Sequence, residues 1–213
     1  IERTMSQGWD SSIKDELQMV EKEIHRSIRS EQPVLTEICD YVISSGGKRM
    51  RPGVTILSYL ASGGKEVSEA VKIAAAFEMI HSATLIHDDI NDRSEKRRGR
   101  LSAYKKFGLQ QALVSGDFLF VKAFAIGGFF NEEIVSLVAE ACTAIAESEI
   151  VQFEKEGEVA PLDVYLGIIE GKTAKPIMAG ARIGAYLANA GPDRIHAMGD
   201  YGLNIGMAFQ IVD

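Results

Sequence analysis

The strongest chemical signal in the chain is the run His87-Asp88-Asp89-Ile90-Asn91-Asp92. Asp88 and Asp92 are four residues apart, so on a helix they share one face. Two bare carboxylates there repel each other, and at a helix C-terminus they also meet the negative end of the macrodipole. Helix stability does not ask for them; a divalent cation would remove the cost. Hard oxygen donors without cysteine suit Mg²⁺, which takes one or two carboxylates and leaves its other positions to water and phosphate. Alone, the pattern reads equally well as a solvated acidic helix end. His81 lies seven residues before Asp88 and falls on the same face.

Cations follow at once. Arg93, Lys96, Arg97, Arg98, Arg100, Lys105 and Lys106 face one acid, Glu95, so residues 93–106 carry +6 in a chain of net charge −7. That leaves −13 on the rest. A focused basic island in an acidic chain suits a small polyanion and argues against a nucleic-acid track. A second cationic point is Gly46-Gly47-Lys48-Arg49-Met50-Arg51-Pro52. Lys48 and Arg51 stand at a predicted helix start, where free N–H groups and the dipole already favour an anion. Lysine adds a point charge and arginine a fork matched to phosphate oxygens. Gly171-Lys172-Thr173 resembles the tail of a P-loop, but the motif needs glycine where Leu166 stands, so that reading fails. Lys172 and Thr173 are instead expected to open a helix, with Thr173 as a cap or both residues as an anion site. Gln210 and Asp213 close the chain behind Gly199, Gly202 and Gly206, a spacing that admits close approach of another helix or a ligand.

The elements that must hold these groups are helices. Asp10–Ser30 repeats Ile13, Leu17, Val20, Ile24 and Ile28, a clean amphipathic stripe. Further helices are expected over Pro33–Ser44, Met50–Ala61, Glu66–Asp92, Lys106–Gly127, Asn131–Glu156, Pro161–Ile169, Thr173–Ala190 and Pro192–Asp213. The fourth is apolar nearly all round, which marks a central, buried helix. Breaks are read at Gly127-Gly128, Gly157, Gly171 and Gly191-Pro192. No segment alternates with period two, so the fold class is all-α.

The 213 residues, 46% hydrophobic and 25% charged, suit one globular domain over 1–213 and exclude disorder. Cys39 and Cys142 build neither a disulfide framework nor a zinc site. No run of 18 apolar residues suggests a membrane span, and Ile1-Glu2-Arg3-Thr4 shows no signal-peptide pattern. A cytoplasmic location is expected. His25 and His196 are read as surface residues, and His87 as structural.

Together, and in this order, the motifs resemble those of the trans-isoprenyl diphosphate synthases, the polyprenyl synthetase family. The resemblance runs from Pro33 to Asp213 and rests on GGKRMRP at 46–52, IHSATLIHDD at 80–89, DDIND at 88–92, RRG at 97–99, GD at 116–117, GKT at 171–173 and FQIVD at 209–213. It implies a helical bundle around a deep central cavity, with aspartate-rich motifs on facing helices. It implies that Asp88 and Asp92 bind Mg²⁺ with Asp89 in support, and that Asp213 opens the second aspartate-rich motif. Arg97 and Lys172 would hold an allylic diphosphate. Lys48, Arg51, His81 and Arg98 would hold isopentenyl diphosphate. Thr173 and Gln210 would sit near a developing carbocation. Members of the family continue past this point, so the chain is expected to be C-terminally truncated, and they are usually homodimers. The alternatives are a non-catalytic regulatory homologue and a terpene cyclase of the same fold.

The expected activity is a polyprenyl diphosphate synthase. Chain length follows from helix pitch: one turn rises about 5.4 Å, close to one isoprene unit. Thr84, Ala83, Ile80 and Phe77 would then form the chain-length pocket on the helix leading to Asp88. Each added isoprene buries five carbons, about 4 kcal/mol. Ala83 and Thr84 are small, so the expected product is C20 or longer, with Phe77 or an aromatic of 118–124 as the floor.

Overall fold

A computed structural model of the chain describes residues 8–212. After a 3-10 turn at Ser11–Ile13, the helices are α1 Lys14–Ser27, α2 Pro33–Ile43, α3 Met50–Ala61 and α4 Ser68–Asn91. A two-stranded hairpin follows, β1 Lys96–Arg97 and β2 Arg100–Leu101. The remainder is α5 Ala103–Phe107, α6 Leu109–Gly127, α7 Glu132–Glu154, α8 Leu162–Ile169, a π turn at Glu170–Ala174, α9 Lys175–Leu187 and α10 Pro192–Val212.

Local chemistry explains several starts. Pro33 opens α2 behind an extended Gln32, where a missing N–H costs nothing. Asn131 caps α7 by accepting the Ile134 N–H at 3.1 Å, and Glu132 and Glu133 stand in the positive first turn.

Helix α4 is the axis. It is buried on most sides, from Ala70 to Asp89, and packs against α1, α3, α6 and α9. The stripe of α1 lies on it, with Val20 and Ile24 buried and Ile28 just beyond the helix. Each such residue contributes about 1.5–3 kcal/mol of burial. On the opposite side, small residues bring α3, α9 and α10 together. A Cβ on Gly184 would lie 2.5 Å from the Thr55 carbonyl oxygen, and one on Gly206 would lie 2.5 Å from the Ala174 Cα. Any side chain at either place would push the helices apart.

The structure departs from the sequence expectations in four places. Residues 96–101 pair as a hairpin (Lys96 opposite Leu101, Arg97 opposite Arg100) because Arg98 and Gly99 both take positive φ, +50° and +77°. That is the two-residue turn that suits strand twist. The run expected as one helix over Lys106–Gly127 is broken by Gly108 at φ +97° into α5 and α6. The break expected at Gly171 is absent: α8 runs through the π turn into α9. Finally, α6, which holds no unbroken run of 18 apolar residues, is by length and composition alone apolar enough to cross a membrane. It packs on α2, α4 and α5 and leaves Leu113, Val114, Val121 and Phe124 exposed.

Candidate active site

A cavity of about 690 Å³ opens between α3, α4, α8, the π turn and the end of α10. Lys48, Arg51, His81, Thr84, Asp88, Arg97, Arg98, Lys172, Thr173 and Gln210 all line it. Ten of the residues singled out from sequence therefore meet in one space.

The acidic pole is the end of α4. Asp88 faces the cavity. Asp89 points the other way, is 3% exposed, and accepts from Arg97 Nε at 2.9 Å and Nη2 at 2.8 Å. It is thus an anchor that aims Arg97 at the cavity. Asp92 caps α4, donating its N–H to the Asp88 carbonyl at 2.8 Å. It is exposed and lines an adjoining hollow of about 240 Å³ with Lys155 and Glu156. Gln152 and Ile168 border both hollows. Asp213 lies outside the described residues.

Lys172 comes from the π turn. An extra residue in a helical turn re-aims the side chains around it. Here Lys172 reaches Glu149 Oε2 at 2.6 Å, Gln152 Oε1 at 3.3 Å and Asp88 Oδ2 at 3.4 Å. Gly171 makes this approach fit, since any Cβ there would overlap Ser148 Oγ and sit 2.9 Å from the Ala144 carbonyl oxygen on α7. Lys172 and Thr173 therefore lie inside a continuous helix, and the expected helix-opening anion site is not formed. Thr173 Oγ1 instead donates to Gln210 Oε1 at 3.0 Å, tying the π turn to α10.

The basic pole has two arms. Lys48 stacks 4.7 Å from the centroid of the Phe209 ring, and Arg51 sits in the first turn of α3. The hairpin turn brings Arg98 against Gly47; a Cβ there would stand 2.9 Å from Arg98 Nη1. The two basic motifs thus touch. Tyr41 fixes the hairpin from behind, donating its hydroxyl to the Leu101 carbonyl at 2.8 Å while Arg100 and Lys106 stack on its ring.

The electrostatics follow. Burial pushes the Asp88 carboxyl up, Lys172 opposes the shift, and Glu149 and Asp92 add to it. Burial works against the Lys172 charge, but its close pairing with the Glu149 carboxylate, which accepts from the amine, and the charge of Asp88 outweigh it, so its amine is held above the usual lysine range. Burial and the neighbouring Arg51, Arg98, Arg97 and Arg49 hold His81 well below the usual histidine range, so it is neutral.

Of the expected chain-length residues, Thr84 lines the cavity. Phe77, Ile80 and Ala83 are buried in the helix core, at 2%, 2% and 0% exposure, and do not form its wall. The apolar wall is built instead by Leu85, Ile168, Ile169, Ile177 and Phe209. Phe77 faces α9, where a Cβ on Gly180 would lie 3.7 Å from its ring. His87 turns to α6, stacking on Phe120 with its Nε2 3.3 Å from the Leu113 carbonyl oxygen. His25 pairs with Asp40, and His196 with the Pro192 carbonyl, both at the surface.

Sequence reasoning missed Glu149, Gln152, Arg49 and Glu78. The only hint of the first two was two polar residues three apart on one face of an apolar helix. Glu149 and Lys172 form a short ion pair, yet both buried carboxylate oxygens lack a well-angled hydrogen-bond donor. The Glu149 carboxylate beside Asp88, with an amide oxygen on Gln152, is a hard donor set that fits Mg²⁺. Among the described residues no cluster of three or more His, Cys, Asp or Glu is arranged to hold a metal by itself. A cation here needs oxygens from elsewhere, as Mg²⁺ bound with substrate phosphates does.

Fold and site together define an all-helical protein with an apolar cavity, one acidic pole and two cationic arms. The chain belongs to the polyprenyl synthetase family, whose profile matches residues 32–213. It is 34% identical over 192 residues to the octaprenyl diphosphate synthase of Escherichia coli (strain K12), covering 89% of this chain and 59% of that protein. It is 36% identical over 215 residues to the geranylgeranyl diphosphate synthase of Sulfolobus acidocaldarius, covering 96% and 64%. The crystal structure of a polyprenyl synthase from Caulobacter crescentus CB15, complexed with calcium and isoprenyl diphosphate, superposes with a TM-score of 0.90 at 34% identity, covering 94% and 62%. The chain thus spans about three fifths of the length of these relatives.

Proposed function

We propose that the protein carrying this chain is a polyprenyl diphosphate synthase, a prenyltransferase that joins isopentenyl diphosphate head-to-tail to an allylic diphosphate. The observation that carries the reading is the placement of two cationic arms and Asp88 around one apolar cavity. Arg97 and Lys172 hold the allylic diphosphate beside Asp88. Lys48, Arg51, His81 and Arg98 hold isopentenyl diphosphate. Asp88 and Asp92, with Asp213, hold Mg²⁺, which when bound neutralises the leaving diphosphate as a Lewis acid.

The residues account for ionisation, condensation and elimination in turn. Cations fixed before the reaction stabilise the charge that develops on the departing diphosphate. The allylic C–O bond breaks, and Thr173 and Gln210 present polar oxygens to the resulting delocalised cation. The double bond of isopentenyl diphosphate attacks it, and the new cation gives up a proton to the departed diphosphate as the product double bond forms. Leu85, Ile168 and Ile177 keep water from quenching the cation. No covalent nucleophile is needed.

Product length is read as C20 or longer, supported by the small Thr84 on the cavity wall and by relatives that are named for products from geranylgeranyl to octaprenyl. The exposed apolar face of α6 supports a homodimer. Two free thiols support a reducing compartment, the cytoplasm. The isopentenyl-side arm favours a synthase over a terpene cyclase, and the intact acidic and cationic residues favour it over a non-catalytic homologue.

The test is a Mg²⁺-dependent assay with labelled isopentenyl diphosphate and allylic primers. Incorporation of label only when primer and metal are both present is the expected result. Primer consumption without isopentenyl diphosphate points to a cyclase, and no consumption to a non-catalytic protein.

A further inference from the structure

Arg49 stands between two cavity cations and borders the same cavity, but its guanidinium nitrogens are bonded to the surrounding helices. Its backbone is left-handed, φ 50° and ψ 34°, immediately before α3. A long side chain in that conformation costs free energy and persists only where its surroundings over-determine it. They do. Nε donates to Glu21 Oε1 on α1 at 2.5 Å, Nη1 to Glu78 Oε1 on α4 at 2.6 Å, and Nη2 to the Ile43 carbonyl at the end of α2 at 2.9 Å. One guanidinium thus ties the 46–51 loop to three helices. The Glu78 side chain is 5% exposed and that of Arg49 17%, so water does little to weaken the pair. Burial works against the Arg49 charge, but Glu78 and Glu21 outweigh it and push its basicity up.

The turn at Arg49 decides where its neighbours point. With its guanidinium bonded to the helices, Arg49 is fixed at the cavity edge, and Lys48 and Arg51 line the cavity on either side of it. Glu78 lines the same cavity, and its charge also supports Arg51 and Arg98 against their own burial. Four cations (Arg49, Arg51, Arg97 and Arg98) crowd this end, and repulsion alone would scatter them.

We infer that Arg49, strapped to Glu21, Glu78 and the Ile43 carbonyl, is a positioning residue that presets the Lys48–Arg51 arm for isopentenyl diphosphate. Its own guanidinium nitrogens are engaged by protein acceptors, so it acts through Lys48 and Arg51. The inference rests on the functional reading above, which assigns that arm its ligand. Loss of the strap lets the loop sample other conformations, and affinity falls by the fraction of time the arm is in place. The effect is confined to one substrate, because Lys172 and Arg97 are anchored elsewhere, by Glu149 and Asp89.

The experiment is calorimetric binding of isopentenyl diphosphate alone, and separately of geranyl diphosphate with Mg²⁺, with hydrogen exchange of the amides at 47–51. Arg49→Met should weaken isopentenyl diphosphate about tenfold and leave geranyl diphosphate within about twofold, while the 47–51 amides exchange faster. Arg49→Lys, which keeps the charge but replaces the fork by a point, should fall between it and wild type. Glu21→Gln removes one strut at the partly exposed end and tests the idea if Arg49→Met does not fold. It should speed exchange at 47–51 and weaken isopentenyl diphosphate by about threefold. Equal weakening of both ligands, or unchanged binding and exchange in folded variants, overturns the positioning role. Lys48→Ala separates the two levels. If it weakens isopentenyl diphosphate while Arg49→Met does not, the strap fails and the functional reading stands. If Lys48→Ala too leaves binding unchanged, the arm assignment falls and takes the strap with it.

Discussion

Lys172 Nζ lies 3.4 Å from Asp88 Oδ2, so a cation from the π turn meets the first aspartate of the acidic motif at the cavity wall. The amine is shared with Glu149 and Gln152 of α7. Three elements, α4, α7 and the π turn, are therefore joined at one wall of the cavity.

Asp88→Ala removes the one acid of the motif that faces the main cavity. Turnover in the labelled isopentenyl diphosphate assay should fall by about a thousandfold, the scale of losing a main stabiliser of developing charge. Activity within tenfold of wild type would show the metal assignment to be wrong.

Glu149→Gln keeps the shape of the side chain but takes away the nearest negative charge on Lys172. The amine should drift from its present position and turnover drop by about ten- to a hundredfold, with fold and thermal midpoint nearly unchanged. Unaltered kinetics would reduce Glu149 to a structural neighbour.

His81 is held neutral by burial and by the surrounding arginines. Its folded-state pKa is depressed, so the unfolded chain binds the proton more readily as pH falls below about 6.5. The contribution to stability is therefore present above that pH and lost below it. His81→Asn should flatten the fall of the thermal midpoint between pH 7 and pH 5. Equal slopes for variant and wild type would place His81 in ordinary solvent.

Gly171→Ala introduces a methyl group where Ser148 Oγ and the Ala144 carbonyl already lie. The π turn must move from α7, at a cost of about 1–3 kcal/mol. Denaturant melts should show the loss, and turnover should fall with it because Lys172 moves too. A stable, fully active variant would mean that the turn has slack.

Thr84→Phe fills the cavity one helical turn below Asp88 with an aromatic ring. Product analysis by chromatography should show a shift to shorter chains by one or more isoprene units, with condensation itself retained. Phe77→Ala should do less, since Phe77 is packed in the core behind the wall. An unchanged product from Thr84→Phe would move the elongation path away from this face of α4.

Much of this was legible in the residues alone. Periodicity of 3.6 and the glycine breaks marked most of the helices, and the uniformly apolar run before Asp88 marked the central one, because burial demands those patterns. Local charge placement marked the acidic motif and both basic motifs. What the chain alone determined was the set of reactive groups and the helices that carry them. What only the tertiary structure decided was which faces meet: that Asp89 turns inward to hold Arg97, that Lys172 belongs with Glu149, that Arg49 is bonded to Glu21 and Glu78, and that Leu85 lines the cavity while Ala83 and Ile80 are buried in the core. Those outcomes depend on how closely α7, α9 and α10 approach across glycines and on one extra residue in a helical turn. Such contacts are set by packing between segments far apart in sequence, and no spacing within a single helix encodes them.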